Sequence, residues 1–168
     1  NQYDPGNNLV QVTENTRPGY PQNYQDTYNL VTQFGFNKSG QQTTVTDTLG
    51  MVNLTLFDEV GRVVTQVVNY DGTTPFNTLC TDFTNPDAEA NVCSLTSYDE
   101  LGRVVATTNS LGIVNRTVYD DEGRLAGTVD NWQGNIVTAD QLPGCLALPE
   151  DRDYDVCTLF GYDAAGNG

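Results

Sequence analysis

Few side chains in this chain are of a type and spacing that could do chemistry. Asp151, Asp153 and Asp155 alternate within Glu150-Asp151-Arg152-Asp153-Tyr154-Asp155, like the opening of a Ca²⁺ loop in which successive carboxylates reach one ion. The Gly that such a loop needs is missing, because Val156 and Cys157 follow, and no Glu closes it. The plainer reading is an acidic surface loop. Trp132 stands between Asn131 and Gln133, where an exposed indole beside amides could stack on a sugar ring or else cover the neighbouring hairpin. Asn37, Asn53 and Asn115 each open an Asn-x-Ser/Thr sequon, the acceptor sequence for N-linked glycan. With no His, and with Lys38 the single Lys, the common base and nucleophile arrangements are missing. The carboxylates occupy turn positions that already account for them. Neither an enzymatic activity nor a cofactor is expected, the weak Ca²⁺ candidate apart.

Cys80 and Cys93 bracket one segment, and Cys145 and Cys157 bracket another. Cys93 lies five residues before Tyr98, and Cys157 five before Tyr162. Four cysteines allow three connectivities, but equivalent placement favours two local disulfides, Cys80–Cys93 and Cys145–Cys157. Zinc would need tight Cys-x-x-Cys spacing or histidine. Structural disulfides imply an oxidising place, outside the cell or on its surface.

These groups must be held by elements that the composition describes. Of the 168 residues, 38% are apolar and only 17% charged, with 7 basic against 22 acidic residues and a net charge of −15. Such a chain is repelled by phosphate backbones and anionic lipid, which excludes nucleic acid and membrane surface as partners. No run of apolar residues is long enough for a transmembrane helix, and no signal peptide opens the sequence, as in a mature or excised fragment. Thr, Val and Tyr favour strands, while Asn, Asp and Gly favour turns. No stretch carries helical spacing. The expected fold class is all-β.

The strongest pattern is a repeat. Phe57-Asp58-Glu59-Val60-Gly61-Arg62, Tyr98-Asp99-Glu100-Leu101-Gly102-Arg103 and Tyr119-Asp120-Asp121-Glu122-Gly123-Arg124 are three copies. Tyr162-Asp163-Ala164-Ala165-Gly166-Asn167 is a fourth, and copies starting at Phe36 and Tyr3 are decayed. A second signal, Asn/Asp-x-x-Gly, falls at Asp47–Gly50, Asn69–Gly72, Asn109–Gly112 and Asn131–Gly134. Both spell type I turns with Gly in the left-handed conformation. One unit is therefore two antiparallel strands and a short turn, passed to the next unit by a second turn. The Arg of the motif could stack on the aromatic ring, pair with a turn Asp, or stand in solvent.

The aromatic starts at 3, 36, 57, 98, 119 and 162 are separated by 33, 21, 41, 21 and 43 residues. Long and short units alternate, with positions 36 and 57 mapping onto 98 and 119 by the same shift of 62. The long units carry insertions, placed at 73–97 and 138–161, and these are expected along one edge of the sheet. Residues 1–168 thus read as a single array.

Tyr-Asp-x-x-Gly-Arg-(Leu/Val) at intervals near 21 residues, as in Tyr98–Val104, Tyr119–Leu125 and Phe57–Val63, resembles the YD repeat, also called the RHS repeat. The resemblance covers nearly the whole chain and is weakest over 7–35. It implies a repetitive antiparallel β-hairpin array whose sheet twists or spirals as hairpins are added. In bacterial toxin systems such sheets form hollow shells around cargo, and in animal adhesion receptors they form part of an extracellular barrel. YD repeats have also been linked to carbohydrate binding. Unlike toxin shells, this chain has disulfide-closed insertions in alternate units and no self-cleaving core motif. Tyr162 opens a unit that stops at Gly168, so an array cut within a unit is expected. The expectation is a secreted or cell-surface scaffold, a segment of a β-shell or fibre, with further copies or flanking repeats as partners. The alternatives are a carbohydrate-binding or adhesion module and a cocoon segment around a toxin.

Overall fold

The computed structural model describes the chain except 23–26, 77, 82, 84–88, 135–137, 146–152 and 163–168, and of Cys145 the backbone alone. Eleven strands follow one another in sheet order β1 to β11, the order of the chain. They are β1 (Gln2–Tyr3), β2 (Leu9–Glu14), β3 (Leu30–Phe36), β4 (Gln42–Thr46), β5 (Val52–Phe57), β6 (Val63–Val68), β7 (Val92–Tyr98), β8 (Val104–Thr108), β9 (Val114–Tyr119), β10 (Leu125–Asp130) and β11 (Val156–Leu159). The paired strands run antiparallel. A 3-10 turn, Ala139–Gln141, and the helix α1 (Leu142–Cys145) lie in one connection. No helix among the described residues is long and apolar enough to cross a membrane. The all-β hairpin array is therefore the observed architecture.

The chain divides into two compact units, Asn1–Ser94 and Leu95–Gly168. In each unit the motif aromatic ends a strand and the Asp-x-x-Gly turn follows. The register slips at this point, between Leu56 and Phe57 in the first unit and between Ser97 and Tyr98 in the second. A bulge there turns the strand end and re-aims the ring. The weakest stretch of the repeat, 7–35, holds the regular pair β2–β3, with Gln11 opposite Gln33 and Thr13 opposite Val31.

Two of the four Asn/Asp-x-x-Gly segments close as expected. Gly50 N–H donates to Asp47 O at 3.1 Å, and Gly112 N–H to Asn109 O at 3.0 Å. The other two do not. Asn69 and Asn131 are themselves left-handed, with φ of 54° and 49°, and they open long connections instead of tight turns. The insertions are also shorter than expected at their C-terminal ends. Residues 92–97 and 156–159 belong to β7 and β11, because the chain regains ladder pairing before the next motif.

Each unit has its own small core. Leu54 and Val67, opposite one another on β5 and β6, are covered by Leu79 and Cys93. Val118 and Val129 on β9 and β10 are covered by Leu142 of α1. Burying one such side chain contributes about 1.5–3 kcal/mol. A single antiparallel layer cannot bury both faces, so the long connections supply the second layer locally. Gly127 makes room for Leu142: a Cβ there would stand 2.8 Å from Leu142 Cδ1 and 2.7 Å from Thr158 O.

Candidate functional site

The motif turn is built by its Asp. In the copy at 98–103, Asp99 Oδ1 accepts the Leu101 N–H at 3.0 Å and the Arg103 N–H at 2.8 Å, while Oδ2 accepts Arg103 Nε at 2.7 Å. The copies at Asp58/Arg62 and Asp120/Arg124 repeat this, with Nε–Oδ2 distances of 2.6 and 2.7 Å. Gly61, Gly102 and Gly123 take φ between 82° and 91°, which Gly alone adopts without cost. Desolvation at the turn opposes ionisation of Asp58, Asp99 and Asp120. The N–H and guanidinium bonds from the motif Arg outweigh it, and each carboxyl is held below its ordinary range. In the decayed copy the charged pair is replaced by a neutral one, Asn37 Nδ2 donating to Gln41 Oε1 at 2.8 Å.

The same Arg also reaches the next motif turn. Arg103 lies with its guanidinium carbon 4.0 Å from the Tyr119 ring centroid, and its Nη1 donates to Gly123 O at 3.2 Å. Tyr119 Oη donates to Val104 O at 3.2 Å. Arg124 repeats the stacking on Tyr162 at 4.7 Å, and Tyr162 Oη donates to Leu125 O at 2.9 Å. Gln41 Nε2 reaches Gly61 O at 3.1 Å. Of the three roles open to the motif Arg, all three copies pair with Asp, and Arg103 and Arg124 also stack on Tyr, which excludes the solvated alternative for these two.

The long connections share a closure that the sequence did not announce. Asn15, Asn69 and Asn131 accept through their carbonyls the N–H of Asn29, Asn91 and Asp155 at 3.0, 2.9 and 2.9 Å. Asn69 and Asn131 also donate from Nδ2 to Glu89 O and Asp153 O, each at 2.7 Å, and Asn15 donates to Thr27 O. In return the Oδ1 of Asn29, Asn91 and Asp155 accepts an N–H from Arg17, Asp71 and Gln133 at 2.7, 3.1 and 2.8 Å. All six clasp residues are left-handed, a conformation that Asn and Asp tolerate better than other side chains. The signal available in the sequence was an Asn or Asp immediately before the apolar opening of β3, β7 and β11.

The candidates from the sequence are placed as follows. Cys80 and Cys93 are disulfide-bonded, with Cα atoms 5.6 Å apart. Cys157 is also disulfide-bonded, and the side chain of Cys145 lies outside the described residues. Asp151 lies outside them too. Asp155 is fully buried and serves the clasp, while Asp153 is exposed and contributes its carbonyl. Among the described residues no three His, Cys, Asp or Glu gather to hold a metal ion, and of the alternating acids Asp155 closes the loop through its N–H and Oδ1. Trp132 is half-buried against the Val118–Val129–Leu142 cluster, with the Arg116 guanidinium 4.9 Å from its ring. Of the two roles open to it, the ring covers apolar side chains of its own unit. Asn53 and Asn115 are exposed on β5 and β9, each accepting the N–H of the clasp residue Asn69 or Asn131. Asn37 is a motif-turn residue whose Nδ2 is engaged by Gln41.

The second unit also holds a groove of about 570 Å³ between the motif turn at 119–122 and the segment Thr138–Asp140. Arg116 lines it together with Tyr119, Asp121, Glu122 and Asp140. Arg116 Nε and Trp132 Nε1 are buried without a hydrogen-bond partner. Leaving a buried donor unpaired costs about 1–3 kcal/mol.

No protein-family model matches the chain, and no curated protein does. In fold it is similar to solved Tc toxin structures. One is the pore of the Photorhabdus luminescens Tc holotoxin with a mutated TccC3, at 16% identity and a TM-score of 0.50 over 82% of this chain. Another is TcdB2–TccC3–TEV, at 18% identity and a TM-score of 0.56 over 99% of this chain. The chain spans 5% and 8% of the length of those two chains. At this identity the likeness is one of fold.

Proposed function

We propose that this chain is a structural scaffold, a segment of an extracellular YD-type β-array that encloses or supports something else and carries no catalytic chemistry or cofactor of its own. The observation that carries this reading is the reach of Arg103 and Arg124 onto the aromatic of the following motif. Arg103 and Arg124 spend their guanidinium groups on an Asp in their own turn and a Tyr in the next. Residues committed in this way serve continuation of the array. The fold likeness to Tc toxin components supports a shell segment over a thread and makes association with other repeats or subunits the natural partnership. It also fits a secreted location, as do the disulfides.

Negative-stain imaging of the purified protein with additional in-phase repeats tests the reading. Continuous curved sheets or closed particles that grow with repeat number are expected. Separate globules that do not join as repeats are added would contradict it.

A further inference from the structure

We propose that the groove of the second unit is a peptide-binding site in which Arg116 receives the carboxylate of an acidic residue flanked by basic ones. The inference goes beyond the scaffold reading and does not depend on it. It begins from a break in the internal symmetry. Leu54 stands three residues before Phe57 and pairs with Val67, whereas Arg116 stands three before Tyr119 and pairs with Val129. The shift of 62 that superimposes the motifs therefore places Arg116 on Leu54. Leu54 is 2% exposed in the apolar cluster of its unit. The same place in the second unit holds a guanidinium that stacks on Trp132 and leaves its Nε buried and unpaired, beside an indole N–H in the same state.

Buried donors in native proteins are nearly always bonded, and a repeat breaks its own rules chiefly where it does something else. Arg116, which lines the groove, therefore carries an N–H donor in need of an acceptor. The planar fork of a guanidinium matches a carboxylate in particular. The rim defines what can bring that carboxylate in. Asp121 and Asp140 have no hydrogen bond or ion pair among the described residues, and Glu122 pairs only with Arg124. Together with a net charge of −15, this rim repels a simple anion. It attracts Lys or Arg on either side of the acidic residue. A groove of about 570 Å³ is within the size range of ligand sites.

Trp132 is the single Trp of the chain, so intrinsic fluorescence reads the site. The probe is the end-blocked tripeptide Lys-Glu-Lys, with Lys-Gln-Lys and free glutamate as controls. Lys-Glu-Lys is expected to change the emission saturably, with at least tenfold weaker responses to both controls. Arg116→Leu should abolish the response and raise Tm, because it restores the apolar residue of the other unit. Asp121→Asn should weaken binding severalfold while leaving Tm unchanged. Equal responses to Lys-Glu-Lys and Lys-Gln-Lys, or no response to either, would overturn the proposal. So would a fall in Tm for Arg116→Leu, which would make the guanidinium a structural member of the unit. Should Arg116→Leu fail to fold, Arg116→Lys, which keeps the charge and loses the fork, is expected to bind at least fivefold more weakly. Unchanged affinity in that variant would equally overturn it.

Discussion

Arg103 and Tyr119 belong to different motif turns, yet the guanidinium carbon of one lies 4.0 Å from the ring centroid of the other. Arg103 is also bonded through Nε to Asp99 of its own turn at 2.7 Å and through Nη1 to Gly123 of the next at 3.2 Å. One side chain thus closes a turn and fixes the position of its successor. Such a residue makes a hairpin array more than a row of independent hairpins, each marginal alone.

The neutral pair of the decayed copy predicts a compensating exchange. Asn37 and Gln41 keep the turn with an amide–amide bond of 2.8 Å. Asp99→Asn alone should lower Tm, because it leaves the Arg103 guanidinium without its carboxylate. Combining it with Arg103→Gln should recover part of that loss, since amide meets amide as at Asn37. Thermal melting of the two single variants and the double variant checks this, and strictly additive losses would show that the pair is not coupled.

Acid should loosen the motif turns. Asp58, Asp99 and Asp120 are held below 3.8, the ordinary value. A depressed folded pKa means that the stabilisation is fully present above the unfolded pKa and is lost as pH falls through the folded one. Tm should therefore be nearly level from pH 7 to about 5 and drop below 3.8. Asp71, held low by bonds from Thr74, Thr73 and Asn91, adds to the same loss. Melting curves across this range, with Asp99→Asn showing a shallower fall, test the assignment.

The disulfide of the first unit closes a segment of sequence separation 13. Reducing it, or replacing both Cys80 and Cys93 by Ser, should cost about 3 kcal/mol in denaturant unfolding by the loop-entropy argument. The loss should be greatest in the protection of the amides around Leu79, which the bridge holds against Leu54 and Val67.

Leu142→Ala should cost about 2–5 kcal/mol, because it empties a site that is 2% exposed and packed on Val118 and Val129. Trp132 packs on the same cluster, so its emission should move to longer wavelength in the variant. Denaturant unfolding followed by fluorescence reports both changes at once.

What the sequence could and could not reveal follows from the range of the interactions involved. The Asp-x-x-Gly turns at Asp58, Asp99 and Asp120 were legible because every bond that makes them lies within five residues. The antiparallel array followed from their spacing. Asn69 and Asn131 were misread because Asn-x-x-Gly is spelled alike whether the turn closes or opens. The choice is made by Asn91 and Asp155, more than twenty residues away in the chain. Trp132 was readable as a turn aromatic that could cover a hairpin, but its partners were not, since Leu142 and Arg116 reach it from other elements. The exception at Arg116 was present in the sequence as a mismatch with Leu54 at the shift of 62, and it needed the buried, unpaired Nε to give it meaning.

Hydrogen exchange in Arg103→Ala measures the coupling between turns. The amides of Gly123 and Arg124 are bonded inside their own turn, to Asp120 O at 2.9 Å and Asp120 Oδ1 at 2.7 Å, so the substitution removes neither of these bonds. If Arg103 ties one motif turn to the next, both amides should exchange severalfold faster in the variant. Gly112 and Ile113, in the plain turn closed by Asn109, should keep their rates. Unchanged exchange at Gly123 and Arg124, with loosening confined to 98–103, would show the turns to be independent and would contradict the scaffold account.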